Sequence, residues 1–267
     1  MKQFVNIADS SFVLIITGCI SPLHNQRYLF LKDEKERLKQ YLECIDYYVR
    51  NTKIKNIVFC ENSGFFFDKV DDLLKSVTIL GVKMEWLSFR GDMELVAKYS
   101  TKGIGEDEIL DYVFTNSKLV KDAKSFSKVT GRLIIENIDK LLECAQYEIN
   151  YFYRDIYSNG LNLDTRFYVM DVNSYNSHLR RCYSIVKDYD LSLERVYRDL
   201  LKRKYKTLPL YPRFRGISGG VGIDYGKESS TKLFLIDLLC KWNLYDSLAS
   251  FLVVLFKIRR KIKSFLN

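Results

Sequence analysis

Phe12-Val13-Leu14-Ile15-Ile16-Thr17-Gly18 is an apolar, β-branched run that stops at a glycine, and it reads as a buried strand. Outward from it the pattern alternates. Leu38, Tyr41, Leu42, Ile45 and Tyr48 recur at three- and four-residue steps with acids at the start, which predicts a helix from Asp33 to about Val49. Ile54–Cys60 predicts a second strand, running into Glu61-Asn62-Ser63-Gly64, and Asp68–Val77 a helix. Val82–Phe89 reads as a third strand followed by Arg90-Gly91-Asp92, and Glu106–Asn116 as a helix after the turn Lys102-Gly103-Ile104-Gly105. Ser125–Val129 is a further strand leading into Thr130-Gly131-Arg132. This order predicts an α/β fold with a mostly parallel sheet, in which ligands bind beyond the C-terminal strand ends. Those ends carry Thr17-Gly18, Asn62, Ser88 to Asp92 and Thr130.

The later chain is less regular. Arg166–Val172 predicts a strand, Ser174–Val186 a helix, Leu193–Lys204 a basic helix, and 209–226 a glycine-rich loop region. Thr231 to Phe265 reads as helical with a break near Asn243. The 267 residues suit one large domain, or one domain with an appendage, divided as 1–227 and 228–267. An apolar fraction of 47% excludes whole-chain disorder, and only 3 Pro and 13 Gly exclude a collagen-like or linker-rich chain. Six dispersed cysteines without a CxxC pair, and two histidines, give no zinc spacing and suit free thiols in a reducing cytosol. The start of the chain has no convincing signal-peptide cleavage site, and no run reaches the roughly 18 apolar residues of a spanning helix.

The net charge is +9, and it is unevenly placed. Residues 195–215 carry eight cations and one acid, and residues 228–267 carry seven cations and three acids. Such basic regions suit an anionic partner: a nucleotide, a nucleic acid or an anionic lipid. Lys102-Gly103-Ile104-Gly105-Glu106 places glycines and a lysine at a helix start, where backbone N–H groups favour phosphate. It is neither a P-loop nor a dinucleotide fingerprint, because Glu108 stands where the third glycine belongs. In Lys128-Val129-Thr130-Gly131-Arg132, two cations flank a turn whose glycine permits close backbone approach, and Arg grips phosphate bidentately. A simple hairpin with two solvated cations is the alternative.

These segments, in this order, resemble a family of bacterial sugar transferases from capsule, O-antigen and related surface-polysaccharide gene clusters. The resemblance rests on Glu61-Asn62-Ser63-Gly64, Lys102 to Glu106 with Glu108, Lys128 to Arg132 followed by Asn137, Asp164-Thr165-Arg166-Phe167-Tyr168, Leu193-Glu194, and Pro212 to Gly219. It spans roughly residues 10–226. It implies a GT-A-like glycosyltransferase (a mostly parallel central sheet flanked by helices, here with a C-terminal helical appendage). A nucleoside-diphosphate sugar, with a UDP-sugar favoured, would be the donor, and a lipid-linked or surface-polysaccharide glycan the acceptor. Thr17, Asn62, Lys102, Gly103, Gly105, Lys128, Thr130, Gly131, Arg132 and Arg166 are the candidate donor-binding residues. The wider GT-A class places Asp-x-Asp at a strand end to hold a divalent metal. Here Asp188-Tyr189-Asp190 follows a helix in a polar stretch and reads as a solvated turn, whereas Thr130-Gly131-Arg132 stands at the expected place. The expectation is therefore transfer that does not require manganese or magnesium, with Arg132 and Lys128 neutralising the leaving diphosphate.

A carboxylate is the usual proton acceptor for a sugar hydroxyl. Glu106, Asp164 and Glu194 are the candidates, with Glu106 first because it begins a helix beside two glycines. Pro212 to Gly222 reads either as a mobile lid or as an ordinary surface loop. His178 is read as structural and His24 as a weak donor contact. The apolar run Leu248–Phe256 followed by Lys257 to Lys263 suits an in-plane contact with an anionic leaflet through residues 244–267. That contact implies a cytoplasmic enzyme, peripheral on the inner face of the plasma membrane; a core-packed final helix with a solvated basic end is the alternative. The rival from another class is a non-catalytic nucleic-acid-binding protein, supported by the basic helix Arg195–Lys206 with Tyr197 and Tyr205 among its cations.

Overall fold

A computed structural model describes residues 3–23, 30–98, 103–155, 162–189, 191–217 and 222–251. In chain order the elements begin β1 (Phe12–Gly18), α1 (Glu34–Asn51), β2 (Asn56–Glu61), α2 (Val70–Ile79), β3 (Lys83–Ser88) and α3 (Met93–Lys98). Then come α4 (Gly103–Asn116), α5 (Lys118–Asp122), β4 (Ser125–Thr130), β5 (Ile134–Ile135), α6 (Ile138–Glu143) and β6 (Phe167–Asp171). The chain continues through α7 (Val172–His178), α8 (Tyr183–Tyr189), α9 (Leu193–Leu201), β7 (Phe214–Arg215) and α10 (Ser230–Lys241).

The central sheet has the order β3-β2-β1-β4-β6, with the first four strands parallel and β6 antiparallel to β4. It is an α/β architecture with helices on both faces, compatible with a Rossmann-like fold. β1 lies at its centre, and all of its residues are buried. Phe12, Leu14 and Ile16 enter the core beneath α1 and α6, while Val13 and Ile15 enter the core beneath α4 and α9. Burial on both faces is the reason this strand is continuously apolar rather than alternating. α1 starts where the Asp33 carboxylate accepts the Glu36 N–H at 2.8 Å, and it lays Tyr41, Cys44, Ile45 and Tyr48 on the sheet.

The direction of β6 positions the site. Val129 pairs with Phe167, and the Thr130 N–H donates to the Arg166 carbonyl. The start of β6, with Asp164-Thr165-Arg166 before it, therefore meets the same sheet edge as the C-terminal ends of β1, β2 and β4. The helix expected over Ser174–Val186 is instead two. Arg181 takes φ 61°, and the Asp107 carboxylate accepts the Tyr183 N–H at 2.8 Å, capping α8 from another part of the chain. The basic helix expected over Leu193–Lys204 stops at Leu201, because Lys202 and Arg203 adopt φ 45° and 67°. After α10 the chain turns at Asn243, and a further helical stretch packs Tyr245 and Ala249 onto the domain. Ile236, Cys240 and Tyr245 belong to the core that includes β1 and α1.

Asp107 has a measurable consequence. Burial, with added repulsion from Asp111 and Glu106, pushes its carboxyl up to about 7, despite hydrogen bonds from Cys182 and Tyr183. A raised acid favours the folded state while protonated, so its contribution is full below the ordinary carboxylate range and is lost as pH rises toward 7. Chemical denaturation from pH 4 to 8 should show Asp107→Asn gaining stability relative to the native chain as pH rises. A pH-independent difference would contradict this account of Asp107.

Candidate functional site

Lys128 organises the acidic side of the sheet edge. It lies on β4 and is 0% exposed. Its Nζ donates to Thr130 Oγ1 at 2.9 Å and to the Thr165 carbonyl at 2.7 Å, and it pairs with Glu106 Oε1 at 2.7 Å. Burial lowers its pKa, opposed by the charges of Glu106, Glu194 and Asp164. The three carboxylates singled out from separate parts of the sequence thus converge on one buried ammonium. A surface contact between Lys128 and a diphosphate, expected from the sequence, is not what the fold provides: Lys128 is enclosed and holds Thr130, Thr165 and Glu106 in place.

The three acids are not equivalent. Glu106, in the first turn of α4, is tied to Lys128. Asp164 accepts Arg166 Nε at 2.9 Å and Nη2 at 2.5 Å, and the Arg166 guanidinium lies against the rings of both Phe214 and Tyr225, 4.5 and 4.7 Å from their centroids. Glu194, on α9, has only a 3.4 Å hydrogen bond from the Thr165 hydroxyl among neighbouring side chains of the cluster. Burial pushes its carboxyl above the usual range, and the charges of Glu106 and Asp164 push it further, against hydrogen bonds from its own N–H and Ser192. Glu194, Asp164, Thr165 and Arg166 line a cavity of about 540 Å³, with Tyr225 on another wall.

Arg132 faces elsewhere. The Gly131 N–H donates to the Thr17 carbonyl at 2.8 Å, and a Cβ on Gly131 would lie 2.4 Å from that oxygen. Only glycine fits so close to β1. The chain leaves this contact with Arg132 at φ 107°, which turns its side chain toward α1. There Nη1 donates to Gln40 Oε1 at 3.1 Å and the guanidinium lies 6.0 Å from the Tyr41 ring. Arg37 holds the Cys19 carbonyl nearby through its Nε at 2.7 Å. Lys128 and Arg132 therefore serve opposite sides of the strand end and do not grip one anion together.

Asn62 closes the third side. Its N–H donates to the Gly18 carbonyl, its own carbonyl accepts the Gly91 N–H, and its Nδ2 reaches the Gly105 carbonyl at 3.4 Å. Asn62 Oδ1 and Glu108 Oε2 are buried without a hydrogen-bond partner. Gly103 and Gly105 form the first turn of α4 rather than a loop before it. Lys102, His24 and residues 252–267 lie outside the described residues. His178 ends α7, its Nδ1 3.0 Å from the Ser174 carbonyl and its Nε2 3.2 Å from Lys204 Nζ, a structural setting.

The loop read either as a lid or as an ordinary surface loop is anchored where it is described. Arg166 stacks on Phe214 and Tyr225, Ile134 and Ile135 pair with Arg215 and Phe214, and the Asn137 Oδ1 accepts the Arg213 N–H. Sequence reading missed Tyr225 and Arg37; no local signal marks them, because their partners lie far along the chain. Among the described residues no group of three or more His, Cys, Asp or Glu side chains is placed to hold a metal ion. Glu106 and Asp164 are engaged by Lys128 and Arg166 instead. Of the aromatics that the sequence places among the cations of the segment 195–206, Tyr197 is buried and Tyr205 packs edge-on to Phe152, while Arg195 and Arg198 pair with Asp199.

No protein-family model matches the chain, and no curated protein matches it.

Proposed function

We propose that the protein is a GT-A-like glycosyltransferase that moves a sugar from a nucleoside-diphosphate donor, most suitably a UDP-sugar, to a hydroxyl of a lipid-linked or surface-polysaccharide glycan. The observation that carries this reading is the placement of Asp164 and Glu194 on the wall of a 540 Å³ cavity at the ligand-binding edge of the sheet, beside the buried Lys128–Glu106 pair. Glu194 is the proton acceptor in this reading, in place of Glu106. Its carboxyl faces a cavity and burial raises it above the usual range, whereas the Glu106 carboxylate is engaged by Lys128. In an inverting transfer the acceptor hydroxyl gives its proton to Glu194 as its oxygen bonds to the sugar's anomeric carbon. The bond from that carbon to the diphosphate breaks, and the diphosphate leaves with the electron pair. Arg132, near the end of β1, supplies positive charge for the leaving group. Two of the buried acceptors without a partner, Asn62 Oδ1 and Glu108 Oε2, suit hydroxyl or N–H donors of a nucleoside. UDP release from a panel of UDP-sugars, with glycolipid extract as acceptor, tests the activity. Release should persist in excess EDTA. Loss of release in EDTA with recovery in manganese would contradict transfer assisted by Arg132 alone.

Among the described residues, no helix is long and apolar enough to cross a membrane. A peripheral position on the inner face of the plasma membrane is part of the proposal. Of the segment 244–267 expected to meet the bilayer, Tyr245 and Ala249 face the core. The exposed apolar face begins earlier: Leu235 and Trp242 are 55% and 62% exposed, and Leu244 and Phe251 continue it. Trp242 emission should shift to the blue with phosphatidylglycerol vesicles but not with phosphatidylcholine vesicles, and Leu235→Ser with Leu244→Ser should abolish the shift. An unchanged spectrum would contradict this membrane face.

A further inference from the structure

A second cavity of about 420 Å³ lies on the other side of the Tyr225 wall. It shares Tyr225 and Glu228 with the cavity that holds Glu194, so the two are neighbours along one groove. Its volume is in the range of small-ligand sites, roughly 300–1,000 Å³.

The chemistry of its lining is specific. Arg213 is paired with Asp237, and Arg215 Nε with Glu136 Oε1 at 2.9 Å. Glu228 is 3.4 Å from Lys232. The cavity therefore offers many charged hydrogen-bonding groups, yet each described ion pair neutralises itself, and the lining acids are not outnumbered by the lining arginines. A dianionic ligand would find no surplus positive charge here. A ligand rich in neutral hydroxyl groups would find both donors and acceptors, already oriented by their ion pairs. Phe214, Tyr225 and Phe234 add aromatic surface, and Phe234 is held open to solvent. Fixed polar groups beside aromatic faces suit the alternating O–H and C–H surfaces of a sugar ring.

We infer that this cavity is a binding subsite for neutral sugar units of the acceptor glycan. Those units lie between Phe234 and Tyr225 while the reacting hydroxyl reaches past Tyr225 to Glu194. The inference rests on the glycosyltransferase reading for its direction of chain, but saccharide binding by the cavity stands separately. It adds a specificity element: the protein selects for what precedes the reacting sugar, and it favours uncharged units there.

The test uses the full chain on an array of neutral hexose and N-acetylhexosamine oligosaccharides alongside uronic-acid-containing ones. Ser230→Trp fills the cavity from an exposed position in the first turn of α10, and Phe234→Ala removes one aromatic wall without touching the core. Neutral oligosaccharides should bind the native chain, and binding should fall at least tenfold in both variants while stabilisation by UDP is retained. No neutral-glycan binding, binding unchanged in both variants, or binding confined to acidic oligosaccharides would overturn the inference. UDP stabilisation without cavity-dependent glycan binding refutes the subsite and leaves the transferase reading standing. Cavity-dependent glycan binding without any response to nucleoside diphosphates supports the subsite and refutes the transferase reading.

Discussion

Glu194→Gln should reduce sugar transfer by about 10²- to 10⁴-fold, the usual contribution of a positioned proton acceptor. The folded state should not suffer. Glu194 is buried beside Glu106 and Asp164, and its raised carboxyl disfavours folding as pH rises through that raised value. The amide removes this repulsion, so thermal unfolding at pH 8 should give a melting temperature equal to or above that of the native chain. The native activity should climb with pH through a value above the ordinary Glu range, because the base must be ionised to accept a proton. Near-normal turnover in Glu194→Gln, with loss of turnover in Glu106→Gln at full stability, would return the role of base to Glu106.

Lys128→Met should have the largest effect on stability. The ammonium is fully buried and is the shared partner of Glu106 and the Thr165 carbonyl. Breaking a buried ion pair by removing one member typically costs about 3–5 kcal/mol, since the other charge is left without compensation. For a chain of this size that is a fall in melting temperature on the order of 10 °C. The double substitution Lys128→Met with Glu106→Leu should recover a large part of the loss, because no orphan carboxylate then remains at position 106. Urea unfolding of the three variants (both singles and the double) measures the coupling. A Lys128→Met chain as stable as the native one would mean that the pair contributes little.

The parallel strands were legible because each is a short apolar run bounded by turn residues, and burial on both faces leaves no other pattern for β1. The direction of β6 was not legible. A strand's residues encode its faces but not which way it runs beside its neighbour, and the reversal follows from the chain between Arg132 and Arg166. The break between α7 and α8 was hidden for a related reason: its cap, Asp107, comes from α4. At the site, Glu106, Asp164 and Glu194 could be named one at a time from their surroundings. Their meeting at one strand end beside Lys128 could not, since the four positions come from four elements or connections. The divergence of Lys128 and Arg132 arises from the contact of Gly131 with the Thr17 carbonyl, which a Thr-Gly pair does not announce. Likewise the cations of α9 were readable, but the burial of Tyr197 among them was not.

Thermal unfolding of the full chain with UDP, set against the same titration with single-stranded oligonucleotides, tests the central claim most directly. The account predicts stabilisation by UDP that grows logarithmically above Kd, amounting to about 2.7 kcal/mol at a hundredfold excess over Kd, and that is weakened by Arg132→Ala. Oligonucleotides should leave the transition where it is. Absence of any shift with UDP or other nucleoside diphosphates, together with a salt-sensitive shift from oligonucleotides, would contradict the transferase reading.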